Sequence, residues 1–174
     1  MEERDYKNIL YSEDDLKRRI EELGRQITED YAGKDLILVG VLKGSLFFMT
    51  DLARAIRLPL QLDLISVGVY PNTTGRTGVV RVTKDLDFDI DGKHVLIIED
   101  IIRSGLTTGY LLQNLETRGA ASIGICTLLL SPGEQLISIP VQYVGFEVSR
   151  TRLLGYGLDV DEKGRNLPFI VEIN

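Results

Sequence analysis

Val95-Leu-Ile-Ile-Glu99-Asp100-Ile-Ile-Arg103-Ser104-Gly105-Leu106-Thr107-Thr108 runs from unbroken apolar residues, through two adjacent carboxylates, into a turn of small and hydroxylated residues. An apolar run with no polar alternation is what a strand covered on both faces requires. The turn leads into a helix expected over about residues 107 to 118. Backbone amides of Ser104 to Thr107, with hydroxyls of Ser104, Thr107 or Thr108, can form a cup for a phosphate at that helix start. Gly105 permits backbone conformations that other residues avoid. Glu99 and Asp100 can accept hydrogen bonds from sugar hydroxyls or hold a hydrated magnesium ion. Carboxylates beside a phosphate cup point to a sugar phosphate with metal. The plainer alternative is a strand, turn and helix with solvated acids and a threonine cap.

The rest of the chain alternates in the same way. Ser12-Glu-Asp-Asp15 reads as a capping box, and Leu16, Ile20, Leu23 and Ile27 recur at helical spacing, so a helix is expected over 13 to about 31. Leu36 to Val41 is a second apolar strand, and the turn Leu42-Lys43-Gly44-Ser45 joins it to a helix over about 46 to 57. Strands are expected near 62 to 69, 79 to 83, 123 to 130, 141 to 147 and 168 to 173, with a mobile loop at Pro71 to Gly78. This order makes a single α/β domain with a mostly parallel sheet, whose ligands bind beyond the carboxyl ends of the strands. Gly40-Val-Leu-Lys43-Gly44-Ser45 is not a P-loop, because its lysine precedes the glycine.

Composition narrows the partners. The chain has 174 residues with 44% hydrophobic content, enough for one domain with a core. Its apolar runs fall far short of the roughly 20 residues of a membrane span, and Met1-Glu-Glu-Arg-Asp opens no secretory signal. Net charge is −6 with scattered basic residues, which does not recommend a nucleic-acid surface. The single cysteine, Cys126, lies in an apolar run and reads as a buried hydrophobe, so a cytoplasmic home is the default. His94, the only histidine, stands at a strand entrance and is not expected to be catalytic.

Val95 to Thr107 resembles the phosphoribosyl-pyrophosphate motif of the type I phosphoribosyltransferases. Val41-Leu-Lys43-Gly44 with Phe47-Phe48 and Asp51-Leu52 is similar to the pyrophosphate loop of the hypoxanthine-guanine group in that family. Lys84-Asp85-Leu86-Asp87, Gly145-Phe146-Glu147, Gly155-Tyr156-Gly157-Leu158-Asp159 and Arg165-Asn166-Leu167-Pro168 fit in order, so the likeness covers nearly the whole chain. It implies a five-stranded, mainly parallel sheet flanked by helices, with a small hood made by the N-terminus and the residues after about 131. It implies purine salvage: transfer of a 5-phosphoribosyl group from 5-phosphoribosyl-1-pyrophosphate (PRPP) to hypoxanthine or guanine, with Mg2+, giving IMP or GMP and pyrophosphate. A homodimer or homotetramer is expected. By position, Lys43, Gly44 and Arg165 meet pyrophosphate, with a strained or cis Leu42–Lys43 peptide. Arg103, Ser104, Gly105, Leu106 and Thr107 hold the 5′-phosphate; Glu99 and Asp100 hold ribose hydroxyls and metal; Asp159 holds magnesium; the loop after Tyr70 closes over the site.

The departures from the pattern all fall on the acceptor side. The family's general-base Asp is Arg103 here, its base-recognising Lys is Ser131, its stacking aromatic is Arg152 beside Leu153, and the Ser before Tyr70 is Val69. A guanidinium cannot accept the purine proton. Three readings stay open: purine transfer with Arg103 donating to the base, transfer to another acceptor such as an anionic one, or a protein that binds the donor without turnover. Arg103→Asp is expected to raise purine activity if Arg103 stands at the base position.

Overall fold

The computed structural model describes residues 8–70, 79–149 and 152–173. The expected closing loop, Pro71 to Gly78, lies outside them. In chain order the elements are β1 (Ile9–Tyr11), α1 (Glu13–Asp30), β2 (Leu36–Leu42), α2 (Leu46–Ala55), β3 (Leu60–Tyr70) and β4 (Val79–Lys84). They continue with β5 (His94–Ile102), α3 (Leu106–Glu116), β6 (Ser122–Leu130), β7 (Tyr143–Glu147), β8 (Arg152–Leu154) and β9 (Ile170–Ile173).

Among the described residues the strands form two sheets, ordered β4-β3-β2-β5-β6-β7 and β1-β9-β8. Five strands of the larger sheet, β3, β2, β5, β6 and β7, are mutually parallel, and β4 folds back antiparallel on β3 as a sixth at the edge. The small sheet joins residues 9–11 with 152–154 and 170–173. A hood starting near residue 131 needs correcting, since β7 pairs with β6 and belongs to the main sheet.

The apolar runs are explained by helices on both faces. Leu36, Leu38, Leu96, Ile98, Cys126 and Leu128 pack with Leu16, Leu23, Phe48 and Leu52 of α1 and α2. Ile37, Val39, Val95, Ile97 and Ile125 pack with Leu111 and Leu115 of α3 on the other side. Successive strand residues thus fill opposite cores, as the period of two requires. Helix α1 opens with the expected capping box: the Ser12 hydroxyl accepts from the Asp15 N–H at 3.2 Å, and the Asp15 carboxylate accepts from the Ser12 N–H at 3.2 Å. Cys126 is buried, and burial pushes its thiol pKa up, so it is inert packing. His94 bonds Ser122 at the far end of β5 from the carboxylates. No helix among the described residues is long and apolar enough to cross a membrane.

Candidate active site

Strand β5 continues through the carboxylates to Ile102, so Glu99 and Asp100 stand within its last turnings rather than beyond its end. Alternation sends them to opposite faces. Glu99 follows Val95 and Ile97 toward α3, and Asp100 follows Leu96 and Ile98 toward the face of α2.

On the α3 side, Glu99 is 5% exposed, and its Oε1 accepts the Thr108 hydroxyl at 3.0 Å. Thr108 is therefore occupied by Glu99, which leaves Ser104, Gly105, Leu106 and Thr107 as the candidate phosphate cup. Gly105 takes φ +80° at the helix start, a left-handed conformation that favours glycine. Glu99, Arg103, Ser104, Gly105, Thr107 and Thr108 line a hollow of about 220 Å3 there. It lies at the N-terminus of α3, where backbone amides can receive an anion.

Burial, then the neighbouring Asp100 charge, pushes Glu99 up to about 8 from its ordinary 4.5. The folded carboxyl keeps its proton over a range in which the unfolded chain has lost it. Its stabilising contribution is full below about 4.5 and is lost as pH rises through about 8. Glu99→Gln stays neutral, so it is expected to flatten the fall in unfolding free energy between about pH 5 and pH 8, by up to a few kcal/mol. Denaturant titrations at the two pH values measure this, and an unchanged slope contradicts it.

On the other face, Asp100 is also raised, chiefly by burial, while its own backbone, the Ile101 N–H and Arg165 pull it down. Its Oδ1 accepts from the Ile101 N–H at 2.8 Å, and Oδ2 lies so close over Gly44 that a Cβ there would sit 1.7 Å away. A Cβ on Gly157 would sit 1.9 Å from the Gly44 carbonyl oxygen. The Leu42–Lys43 peptide is cis, as the resemblance implied. Arg165 donates to the Gly157 carbonyl at 2.8 Å and pairs with Asp159 at 2.8 Å. Lys43 and Arg165 both reach Glu162 Oε2, at 3.0 and 3.2 Å. The glycine contacts thus draw segments more than a hundred residues apart into one cluster.

A magnesium site is tested on the donors present. No group of three His, Cys, Asp or Glu side chains stands poised for a metal among the described residues. Magnesium is ordinarily held by one or two carboxylates completed by water and substrate phosphates. Asp159 lies near enough to act on Asp100, and these two acids suit a cation that arrives with a polyphosphate, whereas Glu99 faces the other side of β5.

The acceptor-side residues divide. Arg103, Arg152, Leu153, Asp159, Val160 and Asp161 line a cleft of about 330 Å3 that adjoins the phosphate hollow through Arg103. Ser131 does not belong to it: the side chain is fully buried and donates to Glu134 Oε2 at 2.9 Å. The same oxygen holds Arg103 at 2.5 Å. Glu134 was not singled out in the sequence, and neither was Glu162. Tyr70 ends β3. A larger cavity of about 480 Å3 between α1, α2 and Tyr156 is lined by none of Glu99, Asp100 or residues 103–107.

A parallel α/β sheet here carries a buried carboxylate pair into a polar hollow at a helix N-terminus, an arrangement suited to a sugar phosphate. The phosphoribosyl transferase domain model matches residues 7–161, and the chain belongs to that family. It is 46% identical to a hypoxanthine-guanine phosphoribosyltransferase of Mycobacterium avium, over 95% of this chain and 85% of that one. It is 43% identical to the enzyme of that name from Dictyostelium discoideum, over 96% and 95%. A crystal structure of a hypoxanthine phosphoribosyltransferase from Staphylococcus aureus superposes with TM-score 0.92 at 42% identity, covering 98% of this chain and 93% of that one.

Proposed function

We propose that this chain transfers the 5-phosphoribosyl group of PRPP to hypoxanthine or guanine, releasing pyrophosphate and forming IMP or GMP. The reading rests first on the two-faced arrangement of β5. Glu99 turns toward a phosphate-sized hollow, while Asp100 turns toward the Lys43, Gly44 and Arg165 cluster. A donor with phosphate at one end of its ribose and pyrophosphate at the other spans both. Ser104 to Thr107 take the 5′-phosphate, Lys43 and Arg165 the pyrophosphate, and Asp100 and Glu99 the ribose hydroxyls. Asp100 and Asp159 would hold magnesium, which would supply positive charge to the departing pyrophosphate. The protein's share is positioning and fixed charge around a cationic ribosyl transition state.

The cleft beside Arg103 receives the acceptor between Leu153 and Arg152. Arg103 donates to the purine N7 or O6 from a position braced by Glu134. A second reading, transfer to an anionic acceptor, draws on Arg103 and Arg152 lining the same cleft. The protein is proposed to work in the cytoplasm as a homodimer or homotetramer, with exposed Leu46 and Phe47 of α2 at the contact.

An assay with PRPP, magnesium and a panel of hypoxanthine, guanine, xanthine and adenine tests the proposal. IMP or GMP formation is expected; donor binding with no nucleotide product overturns the purine reading.

The Glu134 contact refines the expectation for Arg103→Asp. An aspartate at 103 would face the Glu134 carboxylate, and two like charges in contact oppose each other's ionisation. The gain in purine turnover is therefore expected in Arg103→Asp combined with Glu134→Gln, by about tenfold or more, part of the usual acid–base factor. No gain in the double variant removes Arg103 from the base position.

A further inference from the structure

We propose that Glu162 is an internal stand-in for pyrophosphate, which holds Lys43 and Arg165 together until pyrophosphate binds and displaces it. This rests on the donor reading above and adds a residue to it. Glu162 Oε2 accepts from Lys43 Nζ at 3.0 Å and from Arg165 at 3.2 Å. One carboxylate oxygen thus occupies the meeting point of the two cations that the leaving group needs.

The backbone beneath supports a side chain that moves while its base stays. Val160 and Lys163 exchange two backbone hydrogen bonds at 3.1 Å, closing a two-residue turn over Asp161 and Glu162. The Glu162 N–H is anchored on Asp159 Oδ2 at 2.9 Å. The Glu162 side chain itself is 65% exposed and that of Lys43 67%, so the pairing is solvent-screened and exchangeable. The turn also breaks a local rule. Asp161 has φ +53° and Glu162 φ +61°, a pattern in which Asn-Gly is the favoured pair. Glutamate gains nothing from that backbone, so its presence answers to the side chain's two partners. Such conflicts between local preference and residue choice gather at functional sites.

Before pyrophosphate binds, the carboxylate bridges two cations that would otherwise repel each other. On the loaded side, pyrophosphate with magnesium outcompetes a single screened carboxylate. The returning Glu162 then assists departure of the product. Arg165 also keeps a donor in reserve: its Nε is buried with no acceptor among the described residues, while its other nitrogens are engaged.

The test is calorimetric titration of pyrophosphate with magnesium into the wild type, Glu162→Gln, Glu162→Asn and Arg165→Ala. Gln matches Glu in shape, and Asn tolerates the left-handed backbone. Both Glu162 variants are expected to bind about three- to tenfold tighter, the worth of two exposed pairs. The pyrophosphate inhibition constant and the donor KM should fall by the same factor, with the melting temperature within error of wild type. Unchanged or weaker binding in both variants, while Arg165→Ala abolishes it, overturns the stand-in role and leaves the donor site intact. Absence of binding to the wild type overturns the donor site and the stand-in together.

Discussion

Gly44→Ala is expected to cut turnover about a hundredfold or more while the protein stays folded. The added Cβ would lie 1.7 Å from Asp100 Oδ2 and 2.4 Å from its Cγ. Retreat is blocked on the other side, where Gly157 presses on the Gly44 carbonyl with φ +102° and no room for a Cβ of its own. The carboxylate must therefore move by more than an ångström, and a misplacement of that size costs roughly a hundredfold in a positioned reaction. Gly33→Ala is the control: its φ is +75° but nothing lies within 4 Å, so it carries backbone strain without touching the site. Equal activity in Gly44→Ala and wild type contradicts the placement of Asp100 in the chemistry.

Arg165→Ala carries the second large effect. One guanidinium ties the Gly157 carbonyl, Asp159 and Glu162 together, so removing it takes away a cation and the brace on the Gly44 contact. Truncating one partner of such a charge network costs about 2–5 kcal/mol, which is roughly 30- to several-thousandfold in donor kcat/KM. Arg165→Lys should recover only part of this, because an ammonium cannot reproduce the planar fork that reaches three partners. A donor KM unchanged in Arg165→Ala would show that pyrophosphate is held elsewhere.

The features that were legible in the amino-acid order are those whose signal is local. The Ser12 and Asp15 capping box, the apolar runs of β2, β5 and β6, and the left-handed Gly105 all declare themselves within a few residues. Boundaries followed less well where tertiary pairing overrides composition. β5 runs on through Glu99 and Asp100 because Glu99 pairs with Thr127 and Ile101 with Leu129 on β6. The three-residue strands β1 and β8 gave no periodic signal, since each exists only by pairing with β9.

The site residues missed were those defined by distant contacts. Glu134 meets Arg103 across 31 positions, and Glu162 meets Lys43 across 119. In sequence both read as surface acids in polar turns. Ser131 errs in the opposite direction: its position matched a recognition residue, yet its hydroxyl is sealed against Glu134. The opposite facing of Glu99 and Asp100 was available from strand alternation alone, and in the proposed donor site it separates the phosphate end from the pyrophosphate end.

Calorimetric titration of PRPP into the wild-type chain, with and without magnesium, tests the central claim most directly. One donor per chain is expected to bind only with magnesium present, displaced by pyrophosphate and by ribose 5-phosphate, and to be weakened in Gly44→Ala. No donor binding in the presence of magnesium would contradict the assignment of the β5 carboxylates, the Ser104 to Thr107 turn and the Lys43–Arg165 cluster to a single site.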